Sequence, residues 1–453
     1  MTGTGFNPFD RSWWGDPYPT YRSLLDGTGA GRVGGLPVWY LARHRDCESA
    51  LRDQRLVVDD RRSVVYAALG AGGQGGARSG PAGAGQADGG PAGAGPARSG
   101  PADGGPADGG PAGAGPAGGG ETGGEPEDIV PRSLLRLDPP DHTRLRALVA
   151  SSFTRRAVEE LDELIAGTVE RLVGALGQGE VDLVSALGYP LPTTVICDLL
   201  GVPEERRGRL AALSRHVAAA LDPELVVPHA QREVRRSAFT ELRAHMKELL
   251  ERPAPGTRRT DIVEALAAST QRGGEDGASS DEVVSMLVLL LVAGYETTAN
   301  LIGNTALLLA RRPDLAGQVR GRREAVAALV EEVLRLDPPV QLTSRITTEE
   351  LDLAGLRVPA GHFVLVMLGA ANRDPLAFER AEDVVLGREG PRHLSFSGGV
   401  HHCLGAHLAR AEARAAIFAL LERWPLLDLV EPPSYRETLV LRGLDELRVA
   451  PAA

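Results

Sequence analysis

The chain has 453 residues, 43% hydrophobic and only 4% aromatic, with a formal net charge of −11. That is ample apolar material for a large core, and the acidic balance argues against a general nucleic-acid binder, whose affinity rests on neutralising phosphates. The three cysteines, Cys47, Cys197 and Cys403, make neither a disulfide framework nor a C-x-x-C zinc pair, so a reducing cytoplasm is the expected location. No basic and then apolar leader opens the sequence. The longest apolar run, Met286–Ala293, falls far short of the roughly 20 residues that span a bilayer, so neither export nor membrane attachment is expected.

In chain order, the first distinctive segment is 81–120, eight five-residue units of the kind PAGAG and PADGG. A period of five is not collagen, and without large apolar side chains the segment cannot offset its ordering entropy by burial. Disorder is therefore expected over 70–126, as an insertion within a single domain spanning 1–453. A helix is expected to begin near Pro140. It carries His142 and Arg146, whose i,i+4 spacing puts both on one face, suited to binding an anion. Ala157–Leu176, Pro203–Leu221 and His229–Glu251 read as further helices.

Ser279-Ser280-Asp281-Glu282 is a capping box that opens a very apolar helix running to about Arg311. Its length is about 45 Å at the usual rise, and its middle is apolar on every face, so it should cross the core. Midway lies Ala293-Gly294-Tyr295-Glu296-Thr297-Thr298. An acid followed by a hydroxyl inside an apolar helix needs a reason, because buried polar groups need partners. Gly294 is expected to leave space beside the helix, and Thr297 can bond back to a carbonyl and open a groove. A shorter helix, Glu324 to Leu336, stops at Asp337-Pro338-Pro339. It places Glu332 and Arg335 three residues apart, a spacing that alone signals only an ion pair. Strands are expected around Leu351–Leu353, Phe363–Met367 and Leu447–Val449, and a last long helix over Leu404–Arg423, ended by Trp424-Pro425. The pattern is mainly α with a small β part.

Just before that last helix stands Phe396-Ser397-Gly398-Gly399-Val400-His401-His402-Cys403-Leu404-Gly405. Paired glycines permit a tight turn close to a flat ligand. Cys403 then sits at a helix start, where free N–H groups favour an anion and should lower its thiol pKa. A thiolate held in this way is a good ligand for iron, and His401 is placed to hydrogen-bond a carboxylate.

Phe396, Gly399, His401, Cys403 and Gly405 match the pattern F-x-x-G-x-H-x-C-x-G, and with its continuation through Glu412 the segment resembles the haem-binding signature of bacterial cytochromes P450. Ser397 stands where many members carry glycine. From about Trp14 onward, leaving the repeat aside, the motifs also fall in that family's order: H-x-x-x-R, A-G-x-E-T-T, E-x-x-R, the Asn372-Arg373-Asp374-Pro375 turn and the cysteine loop. The resemblance implies a triangular, mainly helical prism enclosing haem b. Cys403 would ligate the iron, with His142, Arg146, Arg345, His401 and Gly405 also binding the cofactor. Glu296 and Thr297 would be the catalytic acid and alcohol, delivering two protons as O2 is cleaved. Glu332, Arg335 and Arg388 would form a structural triad behind the cysteine loop. The substrate pocket would involve Leu289, Val292, Ala293, Val340, Leu342, Thr438 and Leu439.

The function implied is a monooxygenase that hydroxylates or epoxidises a small apolar substrate, by resemblance to actinobacterial members a macrolide or other polyketide intermediate. With no fused flavin or iron–sulfur sequence, electrons would come from a ferredoxin and its NAD(P)H-dependent reductase. Arg144, Arg155, Arg410 and Arg414 would offer a positive docking face. Two other readings remain open on the sequence: a peroxide-using or oxidative-coupling enzyme on the same scaffold, and a non-catalytic haem-binding protein.

Overall fold

A computed structural model of the chain describes residues 6–65, 133–223, 226–251, 260–272 and 277–452. The 81–120 repeat and the expected disorder over 70–126 lie outside the described residues. The N-terminal part supplies helices α1 (Tyr18–Asp26) and α2 (His44–Arg52) and strands β1 (Ala30–Arg32), β2 (Val38–Leu41) and β3 (Leu56–Val57). Later come β5 (Thr343–Thr347) and β8 (Phe363–Val366), after β4 (Val181–Asp182) and before and after the small hairpin β6 (Leu351–Leu353) and β7 (Leu356–Val358). One five-stranded sheet results, in the order β1-β2-β8-β5-β3, with β2 and β8 parallel and the other pairs antiparallel. The sequence reading foresaw β8 in this sheet and missed the other four strands.

The helical body follows the sequence more closely. Helix α3 is Asp141–Val149, just after Pro140. The single helix expected over 157–176 is two, α4 (Arg155–Glu159) and α5 (Asp162–Gly174). The Thr154 hydroxyl accepts from Ala157 N and starts the first piece two residues early. Then come α6 (Pro190–Leu199), α7 (Glu204–Ala218), α8 (His229–Glu251) and α9 (Asp261–Ser269).

Helix α10 runs over Ser280–Arg311, and its capping box is present: Ser279 Oγ accepts from Glu282 N, and Glu282 Oε2 accepts from Ser279 N at 2.8 Å. Arg144 Nη2 on α3 donates to Glu282 Oε1 at 2.7 Å and ties the two helix starts together. α10 packs against α6, α7, α8, α12 (Arg323–Leu336) and α14 (Ala406–Arg423), so the large apolar core closes around it; α11 (Pro313–Val319) and α13 (Leu368–Ala371) complete the helices. Among the described residues α10 alone is long and apolar enough to cross a membrane, and 78% of its most apolar window is buried inside the protein. Strand β12 (Arg448–Pro451) pairs with both β4 and β9 (Leu427–Leu429), and β10 (Ser434–Tyr435) pairs with β11 (Leu444–Glu446).

Candidate active site

Helix α10 is buried along most of its length, yet Leu289 and Thr297 are half-buried and Ala293 is exposed. These residues recur every four positions and so form one stripe of accessible side chains. Thr297 Oγ1 donates to Ala293 O at 2.9 Å. Gly294 is not on this stripe. A Cβ there would stand 3.2 Å from Ile196 Cδ1, so the glycine serves the close approach of α6 and the space expected beside it is taken by Ile196.

Cys403 is exposed, although the protein around it is dense enough to push its thiol pKa up. Its surroundings desolvate the thiol while leaving the residue accessible surface. Burial is the largest influence on the thiol; the Gly405 amide and the charges of Arg146 and Arg410 oppose it. The expected lowering at a helix start is thus outweighed, because α14 begins only at Ala406 and desolvation of the anion wins. A coordinated cation reverses that balance.

The loop carrying Cys403 is held from three sides. Cys403 N donates to Phe396 O at 2.9 Å. Gly399 has φ +64°, and a Cβ there would fall 2.4 Å from Leu51 O on α2, so only glycine fits. Asn372, in the turn Asn372-Arg373-Asp374-Pro375, accepts from Leu394 N at 2.7 Å and donates to Ser395 Oγ at 2.8 Å. Ser397 has φ +59°, left-handed backbone in which a serine is strained.

Behind the loop, the buried Glu332 carboxylate accepts from Arg335 Nε (2.8 Å), Arg335 Nη2 (3.0 Å), Arg388 Nε (3.0 Å) and Val385 N (2.8 Å). Arg335 in turn donates to Asn372 O and Asp383 O. The three residues therefore clamp the end of α12 to the segment that leads into the cysteine loop.

Four cationic or imidazole side chains from distant parts of the chain converge beside the cysteine. The His142 and His401 rings lie 4.4 Å apart between centroids, and Arg146 Nη2 donates to His402 O at 2.6 Å. His401 Nε2 is 3.8 Å from Asp138 Oδ1, and Asp138 is the charged group acting on Arg345, which points from β5. Asp138 also accepts from Val58 N and Asp59 N, and sequence reasoning passed over it. Burial holds His142 down at about 4 and Arg345 down at about 10.

Both ring nitrogens of His142, Nη2 of Arg345 and Nε2 of His401 are buried without a hydrogen-bond partner. Each such group costs about 1–3 kcal/mol. Together they fit an anion with several acceptor oxygens, such as the two propionates of haem, and a Cβ on Gly405 would meet nothing within 4 Å. The residues present fit the cofactor.

The cytochrome P450 family pattern matches residues 130–445. The chain belongs to the cytochrome P450 family. Among curated relatives, Cytochrome P450 107B1 of Saccharopolyspora erythraea is 38% identical over 327 residues, covering 71% of this chain and 77% of that protein. The 6-deoxyerythronolide B hydroxylase of the same organism is 38% identical over 319 residues, 69% and 76% of the two chains. Among solved structures, the ligand-free CYP164A2 of Mycobacterium smegmatis superposes with a TM-score of 0.79 at 32% identity, over 98% of both chains. As a cytochrome P450 the chain has the mainly α fold of that family, binds haem b and is a monooxygenase that uses O2 and an external electron source.

Several sequence expectations about this P450 change in the structure. Val292 is buried in the main helical core, and Leu342 and Leu439 in the N-terminal core beside the sheet, so these three pack rather than line an open pocket. Leu289, Ala293 and Val340 keep accessible surface. Thr438 donates to Leu441 O, and the backbone at Leu439 and Val440 is pinned by the buried Asp222 carboxylate.

The arginine face also changes. Arg144 is paired with Glu282, and Arg410 and Arg414 are both paired with Glu331, leaving Arg155 as the one of the four without an ion pair to a described residue. Glu296, finally, is 1% exposed and paired with Arg436, with Tyr189 Oη donating to it at 3.3 Å. Arg436 had no signal in the sequence, since it comes from the β10–β11 connection far along the chain.

Proposed function

We propose that this P450 inserts one atom of O2 into a medium to large apolar metabolite of the macrolide or polyketide kind, by hydroxylation or epoxidation. The observation that carries the reading is the stripe Leu289, Ala293 and Thr297: accessible side chains in the otherwise buried middle of the helix, apolar but for a single hydroxyl. An apolar wall with one polar group orients an apolar substrate and leaves the hydroxyl for proton handling. The relative that hydroxylates 6-deoxyerythronolide B supports the substrate class.

Haem would be held through Cys403 and would supply the iron needed for O2 activation. His142, Arg146, Arg345 and His401 would bind its propionates, with Gly405 leaving room at the helix start. Glu332, Arg335 and Arg388 keep the loop in register. Thr297 holds and passes a proton at Oγ1, now resting on Ala293 O, and Glu296 is the acid behind it. Leu289, Ala293 and Val340 exclude water and shape the substrate site.

Electrons reach the site from a small acidic ferredoxin and its NAD(P)H-dependent reductase, and the enzyme works in the cytoplasm. A cleft of about 1140 Å³ behind the cysteine loop supports that partner: Phe396, His402 and Arg410 line it, arginines outnumber carboxylates in its wall seven to five, and neither Thr297 nor Cys403 borders it. The test is a screen of macrolide and other polyketide intermediates for the spectral change that follows loss of water from the iron, then turnover of the binders under labelled O2. One labelled oxygen atom in the product is expected. A product free of label would transfer the reading to oxidative coupling.

A further inference from the structure

Glu296 looks away from the open stripe. Its Oε1 is held by Arg436 and Tyr189, while Oε2 is buried with no partner. Arg436 Nη2 donates to Asn300 Oδ1 at 2.5 Å, and its Nε, also without a hydrogen bond, lies 3.7 Å from Asp445 Oδ1. The Asp445 side chain is 58% exposed, against 21% for Arg436 and 1% for Glu296. Tyr189, Arg215, Arg436, Thr438 and Asp445 also line a cavity of about 110 Å³, large enough for water and offering it polar partners. A graded path thus runs from the surface carboxylate, past this cavity, to the buried one.

The path is built into the fold. Arg436 N donates to Gly443 O at 3.1 Å, next to the paired strands β10 and β11. A Cβ at Gly443 would stand 2.0 Å from Asn300 Oδ1 and 2.5 Å from Arg436 Nη2, so a glycine is what lets the guanidinium lie there. The stacked rings of Tyr189 and Tyr295, with Arg215 donating to Tyr295 Oη at 3.1 Å, wall off the other side.

We propose that Arg436 is a positioning residue that meters proton entry to Glu296, holding the carboxylate ionised in the arrangement described and releasing it when the guanidinium turns to Asp445. The inference rests on the proposed roles of Glu296 and Thr297. A buried carboxylate that loses its cation favours the protonated form. The freed Glu296 then takes a proton from cavity water, which is replenished from bulk solvent at Asp445, and passes it towards Thr297. Only O–H bonds are made and broken. Two such protons accompany the two electrons that the redox partner delivers for each O2 cleaved.

The test uses the haem-loaded full chain and infrared spectra, in which protonated Glu296 gives a carboxyl band that Glu296→Gln abolishes. Wild type is expected to lack this band at neutral pH and Arg436→Met to show it, while Arg436→Lys, which keeps the cation, returns to the wild-type spectrum. Arg436→Met should also lower product formed per electron pair several-fold, with hydrogen peroxide making up the difference. Asp445→Asn, which leaves the Glu296 pair intact, should enlarge the solvent isotope effect on turnover without producing the band. No band in Arg436→Met, or unchanged coupling in Arg436→Met and Asp445→Asn while Glu296→Gln uncouples, overturns the inference. Unchanged coupling in Glu296→Gln overturns instead the reading of Glu296 on which it rests.

Discussion

Replacing Arg345 by leucine should have opposite effects on the haem-free and haem-loaded protein. Arg345 is 3% exposed; Nη1 reaches Ser344 O at 2.8 Å and Thr343 Oγ1 at 3.2 Å, while Nη2 has no partner. Burial lowers its pKa to about 10, which corresponds to about 3 kcal/mol of uncompensated charge burial. Leucine removes that cost and keeps much of the aliphatic packing, and exchanging a poorly compensated buried charge for a hydrophobe is often stabilising by about 1–4 kcal/mol. The haem-free variant should therefore gain about 1–3 kcal/mol, read as a higher urea midpoint at unchanged slope. With haem bound, the variant loses a charge-assisted hydrogen bond worth about 1.5–3 kcal/mol. Haem should then transfer to an acceptor apoprotein roughly 10- to 100-fold faster. A haem-free variant that is less stable than wild type, with haem retention unchanged, would refute the reasoning, because Arg345 would then be satisfied within the protein itself.

Other perturbations probe separate parts of the site. His142 is buried and held at about 4, below its ordinary 6.5. The unfolded chain therefore takes up the proton first on acidification, and haem-free stability, complete above pH 6.5, should fall by about 3 kcal/mol by pH 4. Urea midpoints across that range should flatten in His142→Phe; parallel curves for the two proteins would count against it. Glu332→Gln leaves the buried Arg335 without its carboxylate and should cost about 3–5 kcal/mol in denaturant unfolding, whereas a loss below about 1 would mean the clamp is idle. Ser397→Gly relieves left-handed strain, partly offset by a freer unfolded chain, and should raise stability by about 0.5–1 kcal/mol by the same measurement. A drop on that substitution would contradict the assigned backbone. Deleting 81–120 should leave the melting temperature nearly unchanged, since shortening a long loop alters closure entropy little; a large fall would mean the repeat packs.

What the sequence made legible was local. The capping box at Ser279, the Asp337-Pro338-Pro339 stop and the contiguous cysteine loop each carry their structure within a few neighbouring residues. The five-stranded sheet did not, because its strands are short and β2 and β3 find β8 and β5 across long separations. Helical periodicity alone could not reveal the break between α4 and α5, which the Thr154 cap displaces. Facing was the other blind spot. Val292 and Ala293 are adjacent and similar in chemistry, yet one packs in the core and the other is exposed. Glu296 and Thr297 were foreseen as one acid–alcohol pair, and the helix turns them to different sides. The residue that holds Glu296, Arg436, lies 140 positions away, and no local pattern announces it.

The central claim is that Cys403 ligates haem iron as a thiolate in this P450. The most direct measurement is the absorption spectrum of the haem-loaded protein after reduction under carbon monoxide, beside that of Cys403→Ala. Wild type should give the red-shifted Soret band of thiolate ligation, and the variant should lose it. A fully haem-loaded wild type without that band, or a Cys403→Ala protein that keeps it, would contradict the account.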